Sequence, residues 1–513
     1  MPTASEMLSA DFGSVPGVVR QLASEDPQHL ALVVDDRQLT RAQFDQLVDR
    51  VAAALQRDGV RQGEAVSVCA GTSVEYAVLY IGVLRAGAAV APIAPSVTGE
   101  QMAAMIGDSG SRLVFLDRDA HATLGERAAE LDARIVALDG SGVGQDWSDW
   151  LAAAGSEPKP VEIRPEDPFN IIYSSGTTGV PKGIVHSNMM RWRQVAMGGN
   201  PAYAEAVTLI STPLYSNTTL VSFLPTVAQG GTAVLMRKFD ARAYLELAER
   251  TRATHTMLVP VQYKRIMAVP EFDRFDLSSF VLKTCTSAPF AAELKRDILV
   301  RWPGQLVEYY GMTEGGCSFM LKAHEHPDKL HTVGQAMPGH EAILIDDDGK
   351  PVAAGEAGEI VGRSPTMSKG YLNRDDKTRE MQWYDEDGNL WYRHGDVGRF
   401  DADGFLILTD RKKDMIISGG FNIFPSDIEA VAKDCPQVED VSVVGVPSEQ
   451  WGETPVAFYV GAADPRSVVE FTNSRVGKTQ RLADAIRVED LPRSAIGKVL
   501  KRELREAYEI RSR

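Results

Sequence analysis

The run YSSGTTGVPKGIVHS, residues 173–187, follows the apolar stretch FNII and is dense in groups that hold phosphate. Ser174, Ser175, Thr177 and Thr178 offer hydroxyl donors, and Gly176, Gly179 and Gly183 let backbone N–H groups turn toward one anion. Lys182 adds a mobile positive charge. A polar surface turn shares part of this composition, but the density of donors directly after a strand favours a phosphate ligand. A Walker-type loop is disfavoured on chemical grounds. Pro181 stands where that loop needs a glycine N–H, and Gly183 stands where it needs a magnesium-binding hydroxyl.

Four further runs carry groups of matching chemistry. In EYYGMTEGG, 308–316, Tyr310 can stack on a purine, Gly311 permits close approach, Thr313 can bond a phosphate and Glu314 can hold Mg²⁺. Alone, this run also fits a turn between a strand and a helix. WYRHGDVGRF, 391–400, offers the carboxylate of Asp396, to which two adjacent sugar hydroxyls can both donate. His394 beside it has no identifiable partner and reads as structural, and HEH at 324–326 reads as solvated. LTDRKKDMIISGGFNIFPSDIE, 408–429, reads as a hairpin with a bulge at Gly419 and Gly420. In LPRSAIGKVLKREL, 491–504, Lys498 follows Gly497 just before the last predicted helix, where a flexible ammonium can reach a ligand.

Taken together and in this order, these runs resemble the adenylate-forming superfamily. It includes acyl- and aryl-CoA synthetases, firefly luciferase and the adenylation domains of peptide synthetases, and the first of these is the nearest match. The resemblance spans almost the whole chain. It implies that Ser174, Ser175, Gly176, Thr177, Thr178, Gly179 and Lys182 hold the phosphates of ATP. It places Ser287, Ala288, Pro289, Glu308, Tyr309, Tyr310, Gly311, Met312 and Thr313 around the adenine and α-phosphate, with Asp396 and Arg411 on the ribose. Lys413 matches the hinge about which a C-terminal domain swings. Ser418, Gly419 and Gly420 match the wall of a pantetheine tunnel. Thr178, Glu314 and Lys498 form the implied catalytic set, with Glu314 as the metal ligand. Thr286 and Ser287 replace commoner glycines, His394 replaces a common threonine, and Ser216 stands where many members have histidine.

The implied cofactors are ATP, Mg²⁺ and coenzyme A. A carboxylate attacks the α-phosphorus of ATP, giving an acyl-adenylate and pyrophosphate; a thiol then takes the acyl group and releases AMP. Tyr215, Ser216, Trp192, Tyr263, Tyr309, Met312 and Cys317, with Met190, are the candidate acid-pocket residues. They imply an aromatic or medium aliphatic acid, although Trp192 and Tyr263 are equally suited to a core. The same-family rival is loading of a carrier-protein thiol, and the chain ends at Arg513 without a carrier-like segment. A luciferase-like oxygenation and a non-catalytic nucleotide sensor are weaker readings. Joint retention of Lys498, Glu314 and Asp396 opposes the sensor. Trp451 is a candidate contact for the CoA nucleotide by position only.

The elements that must position these groups follow from the rest of the chain. At 513 residues, more than one core is expected. The formal charge of −16 opposes general nucleic-acid or anionic-membrane binding. Four scattered cysteines without a CxxC pair fit a cytoplasmic enzyme without disulfides or zinc. No secretory signal or membrane span is expected, since the apolar residues 77–95 contain Arg85 and two prolines. A homodimer is left open. Alternating helical and strand-like segments predict an α/β fold: a large N-terminal domain of layered α/β subdomains with a β-barrel-like part, residues 1–411, and a small mobile α+β domain, residues 412–513. DADG at 401–404 marks a hairpin turn.

Overall fold

Short, wholly apolar strands such as AVSVC and LVFL need cover on both faces, which parallel sheets flanked by helices provide. The computed structural model describes residues 2–174, 182–199, 202–411, 414–418, 421–448, 451–477, 480–494 and 497–511. In it, strand β1 (Ala65–Cys69) lies at the centre of a seven-stranded sheet that is parallel except at one edge. At that edge β2 (Pro168–Ser174) pairs antiparallel with β3 (Lys182–Ser187), which leads directly into helix α1 (Asn188–Ala196).

A second sheet has nine strands, of which the six central ones are parallel. It contains β4 (Val207–Ile210), β5 (Leu282–Cys285), β6 (Gln305–Met312) and β7 (Gly315–Lys322). Helix α2 (Asn217–Gln229) follows β4; α3 (Pro260–Met267) and α4 (Ala292–Arg301) pack on the same sheet further along the chain. The largest core joins the two sheets through the helices between them: Val68 and Phe115 from the first, Leu32 and Ile210 from the second, and Val48, Leu79 and Phe223 from the helices. The C-terminal ends of β2, β4 and β5 carry the loops of residues 175–181, 211–216 and 286–289, as in open α/β sheets generally.

A third sheet of five strands is antiparallel throughout and includes β8 (Leu390–Phe400) and β9 (Leu406–Arg411), joined by the expected DADG turn. A fourth, mixed sheet of five strands with its own core of Ile416, Ile428, Val443 and Tyr459 forms the small C-terminal domain. The last helix, α5 (Lys501–Arg511), begins after Lys498. The apolar run 77–95 divides into a helix ending at Arg85 and a strand, and among the described residues no helix is long and apolar enough to cross a membrane. All four cysteines are buried free thiols.

Residues 308–316 do not lead from a strand into a helix. They form the hairpin between β6 and β7, with Tyr310 opposite Phe319 and Met312 opposite Gly315. Gly315 has φ +99°, and a Cβ there would lie 2.4 Å from the Thr366 carbonyl oxygen, so both the turn and a neighbouring segment require glycine.

Candidate active site

The β2–β3 ladder ends with Ser174 opposite Lys182. Residues 175–181 between them lie outside the described residues, and with them the expected phosphate contacts of Ser175, Gly176, Thr177, Thr178 and Gly179. Lys182 itself is described, and its Nζ lies 5.1 Å from the centre of the Tyr371 ring, a cation–π arrangement. Residues 369–372 add to the free side of β3: Lys369 N–H donates to Val185, Val185 N–H to Gly370 and Leu372 N–H to Gly183, at 2.7–3.0 Å.

Tyr371 then ties this strand to the β6–β7 hairpin. Its hydroxyl donates to Glu314 Oε1 at 2.7 Å. Burial and the adjacent Glu314 carboxylate push the Tyr371 phenol well above its ordinary range, so it stays a donor. Ser368 N–H donates to the Glu314 carbonyl at 2.8 Å. Lys182 and Glu314, the residues expected to face the phosphates and the metal, are thus neighbours around one ring. Sequence reading passed over Tyr371, because nothing local distinguishes the tyrosine of KGYLN.

On the other side of the hairpin, the Tyr310 hydroxyl donates to Asp396 Oδ2 at 2.7 Å. Phe319 and His394 pack against the Tyr310 ring, with centroids 5.8 and 5.9 Å away. Asp396 stands opposite Arg411 in the β8–β9 ladder, so the two expected ribose contacts share one register position. His394 has the structural role expected: burial lowers its pKa to about 4, and its neutral Nε2 accepts from Cys317 N–H at 3.3 Å.

Ser287 lies in the loop after β5 with φ +83°, a conformation that favours glycine. It therefore keeps the backbone shape of a glycine in spite of its side chain, and its hydroxyl is anchored to Thr218 of α2 at 2.6 Å. Ala288 and Pro289 follow in the same loop, half-buried and exposed respectively. Tyr309, Gly311, Met312 and Thr313 share the hairpin, and burial raises the Tyr309 phenol. Tyr215 and Ser216 precede α2, and burial pushes the Tyr215 phenol up to about 12.

Glu308 and Cys317 need correction, and Trp192 and Tyr263, equally suited to pocket or core, lie in the core. Glu308 faces inward and forms a buried ion pair with Lys295 of α4, whose ammonium also donates to the Leu330 and Thr332 carbonyls. Trp192 packs beneath the N-terminal segment: its Nε1 donates to the Ala10 carbonyl, and a Cβ on Gly13 would lie 2.6 Å from its ring. Tyr263 is stacked on Phe290 and donates to the Thr284 carbonyl within the core of the second sheet. Cys317 belongs to a cluster with Phe319, Leu344, Ile360 and Leu406. In each case a side chain suited to a ligand site is equally suited to a core, and packing decides. Met190 is likewise buried in α1.

Lys498 sits in a loop closed by its own hydrogen bonds. Gly497 N–H donates to the Ser494 carbonyl, Ser494 N–H to the Lys498 carbonyl, and Arg493 Nη1 to the Gly497 carbonyl, all at 2.8 Å. Arg493 also pairs with Asp440 at 2.6 Å. Gly497 has φ +79°, and a Cβ there would lie 2.6 Å from Val261 Cγ1 in the first turn of α3. The loop that carries Lys498 thus rests directly on the large domain. Ser418 is buried at the end of a strand of the fourth sheet, opposite Gly452, whereas Lys413, Gly419 and Gly420 lie outside the described residues.

Comparison with known proteins matches most of the chain. The family model described as "AMP-binding enzyme" matches residues 19–372, and that described as "AMP-binding enzyme C-terminal domain" matches residues 427–498. The long-chain-fatty-acid–CoA ligase FadD13 of Mycobacterium tuberculosis is 30% identical over 96% of this chain and 98% of its own. The indoleacetate–CoA ligase of Aromatoleum aromaticum is 31% identical over 94% and 96%. Among solved structures, the amide bond synthetase McbA of Marinactinospora thermotolerans superposes with a TM-score of 0.84 at 27% identity, covering 96% of this chain and 99% of that one.

Proposed function

The chain belongs to the AMP-binding enzyme family, and from that premise we propose that it is an ATP-dependent carboxylate–CoA ligase. The observation that carries this reading is the meeting of Lys182 and Glu314 around Tyr371. A triphosphate needs a cation for its terminal groups and a carboxylate for its magnesium within one small space. Glu314 Oε1 is held by Tyr371, which leaves the second carboxylate oxygen for the ion. One carboxylate plus phosphate and water oxygens is the usual magnesium environment, so the residues fit. When bound, magnesium supplies charge neutralisation on the phosphates.

Lys182 steers the β- and γ-phosphates as leaving pyrophosphate. Tyr310 presents a ring face for adenine, and its hydroxyl orients Asp396 toward the ribose hydroxyls. Lys498 brings its ammonium to the acid carboxylate and α-phosphate as negative charge accumulates there. The acid enters beside Tyr215, Ser216, Tyr309 and Met312, and is aromatic or medium aliphatic. We place the domain boundary between residues 411 and 412 with the hinge at Lys413. Rotation about it withdraws Lys498 and brings the 418–420 face to the adenylate for attack by the CoA thiol.

A panel of carboxylic acids with ATP, with and without CoA, tests the reading through AMP, pyrophosphate and thioester. AMP with thioester is expected. ADP overturns adenylation. AMP formed without CoA-dependent thioester assigns another acceptor, a carrier-protein thiol or, given the likeness to an amide bond synthetase, an amine.

A further inference from the structure

Arg191 of α1 is 1% exposed, and among the described residues its bonds are all to neutral groups. Nε donates to Asn170 Oδ1 at 3.0 Å and Nη1 to Gln194 Oε1 at 2.9 Å. Nη2 donates both to His186 Nδ1 at 2.8 Å and to Asn217 Oδ1 at 2.7 Å. An isolated buried cation is costly, so a guanidinium held this way needs a use beyond packing. Apart from Gln194 of its own helix, its partners come from β2, from β3 and from the first residue of α2.

The bond to Nδ1 fixes the tautomer of His186. With Nδ1 accepting, the ring proton is on Nε2, and Nε2 lies 2.7 Å from the Thr313 carbonyl. His186 is fully buried, and burial beside Arg191 holds it well below its ordinary pKa, in agreement with a neutral ring. The turn at 313–314 is therefore anchored three times in succession: the Thr313 carbonyl by His186, the Glu314 carbonyl by Ser368 N–H, and the Glu314 carboxylate by Tyr371. From the same guanidinium, the bond to Asn217 reaches the start of the helix that follows Tyr215 and Ser216.

We propose that Arg191 is a positioning residue joining the acid site to the MgATP site. Through His186 it sets the turn that carries Glu314, and through Asn217 it sets the entrance of the acid pocket. This rests on the ligase reading above, in which Glu314 holds magnesium. Neither Arg191 nor His186 touches a substrate.

The test uses the full chain with an acid identified by the panel. MgATP and acid KM values are measured separately, with MgATP affinity measured by calorimetry without turnover. His186→Leu removes the donor to Thr313 and should weaken MgATP about 10-fold or more, as for unpairing a buried group, with acid KM little changed. His186→Gln, whose amide can donate to the same carbonyl, should restore most of the loss. Asn217→Ala should raise the acid KM alone, and Arg191→Met should raise both. A purely structural role predicts equal loss of active protein without these splits. The proposal is overturned if the wild type binds MgATP and forms AMP while the Leu and Gln variants are indistinguishable. It is also overturned if Asn217→Ala and His186→Leu shift the same constant. Absence of AMP from the wild type with every acid instead overturns the ligase reading.

Discussion

Tyr310 donates its hydroxyl to Asp396 at 2.7 Å across the gap between the β6–β7 hairpin and β8. The ring and the carboxylate proposed to hold adenine and ribose are therefore one unit, although 86 residues separate them in sequence. Tyr310→Phe keeps the ring and removes the donor. It should raise the KM for ATP about 3- to 10-fold, the worth of one hydrogen bond to a charged group, with kcat nearly unchanged. Asp396→Asn should cost more, because it also removes the charge that the ribose hydroxyls address. Initial rates against ATP concentration separate the two.

Ser287 holds φ +83° and bonds Thr218. A left-handed conformation costs a non-glycine residue about 1 kcal/mol or more. Ser287→Ala keeps that strain and loses the hydrogen bond, whereas Ser287→Gly loses the bond and relieves the strain. The glycine variant should therefore unfold at a higher temperature than the alanine variant. Thermal unfolding of the two side by side checks the order, and a more stable alanine variant would show that the strain argument is wrong.

Much of this site was legible because its chemistry restricts residue type. Lys182 and Asp396 are residue types that the proposed phosphate and ribose contacts ask for, Gly497 holds φ +79°, and each stands in a short run of its own. Tyr371 was not legible, since its meaning lies in a bond to Glu314, 57 residues away, and in backbone pairing with β3. His186 lay inside the phosphate run, but its partner Thr313 is 127 residues distant. Trp192 and Tyr263 stayed open between pocket and core for the opposite reason: a large aromatic fits either equally well, and composition does not choose. Glu308 sits beside the nucleotide motif, yet two positions further back along β6 its neighbour is Lys295 rather than a ligand. The layered fold was read correctly because alternating periodicities are a local property.

Glu308 also gives the protein a pH dependence. Burial raises its carboxyl to about 7 even with Lys295 beside it. An acid whose folded pKa lies above its unfolded value binds more protons in the native state. Its contribution to stability is greatest below the unfolded value, near 4.5, and declines as pH rises to about 7. Glu308→Gln cannot titrate. The stability of the wild type relative to this variant should therefore fall between pH 5 and pH 7.5, on the order of 1 kcal/mol per pH unit. Denaturant unfolding at both values measures it, and a difference that grows with pH would contradict the assignment.

Lys498 and Gly497 make the sharpest separation of the two half-reactions. In the proposed reaction Lys498 supplies charge where the acid meets the α-phosphate, so Lys498→Ala should lower adenylate formation by about 10²-fold or more. The same variant should still convert a supplied acyl-adenylate to thioester, because the proposed rotation takes that lysine out of the site for the second step. Gly497 offers an independent route to the same split. Its φ of +79° and the 2.6 Å approach to Val261 leave no room for a side chain while the loop rests on α3. Gly497→Val should therefore lower adenylation about 10-fold or more by preventing docking, with Lys498 itself intact. Thioester formation from supplied adenylate should stay within about 3-fold of wild type, since the proposed rotation does not use docking through this loop in that step. Parallel loss of both half-reactions in both variants would mean that the small domain does not exchange between two docked positions.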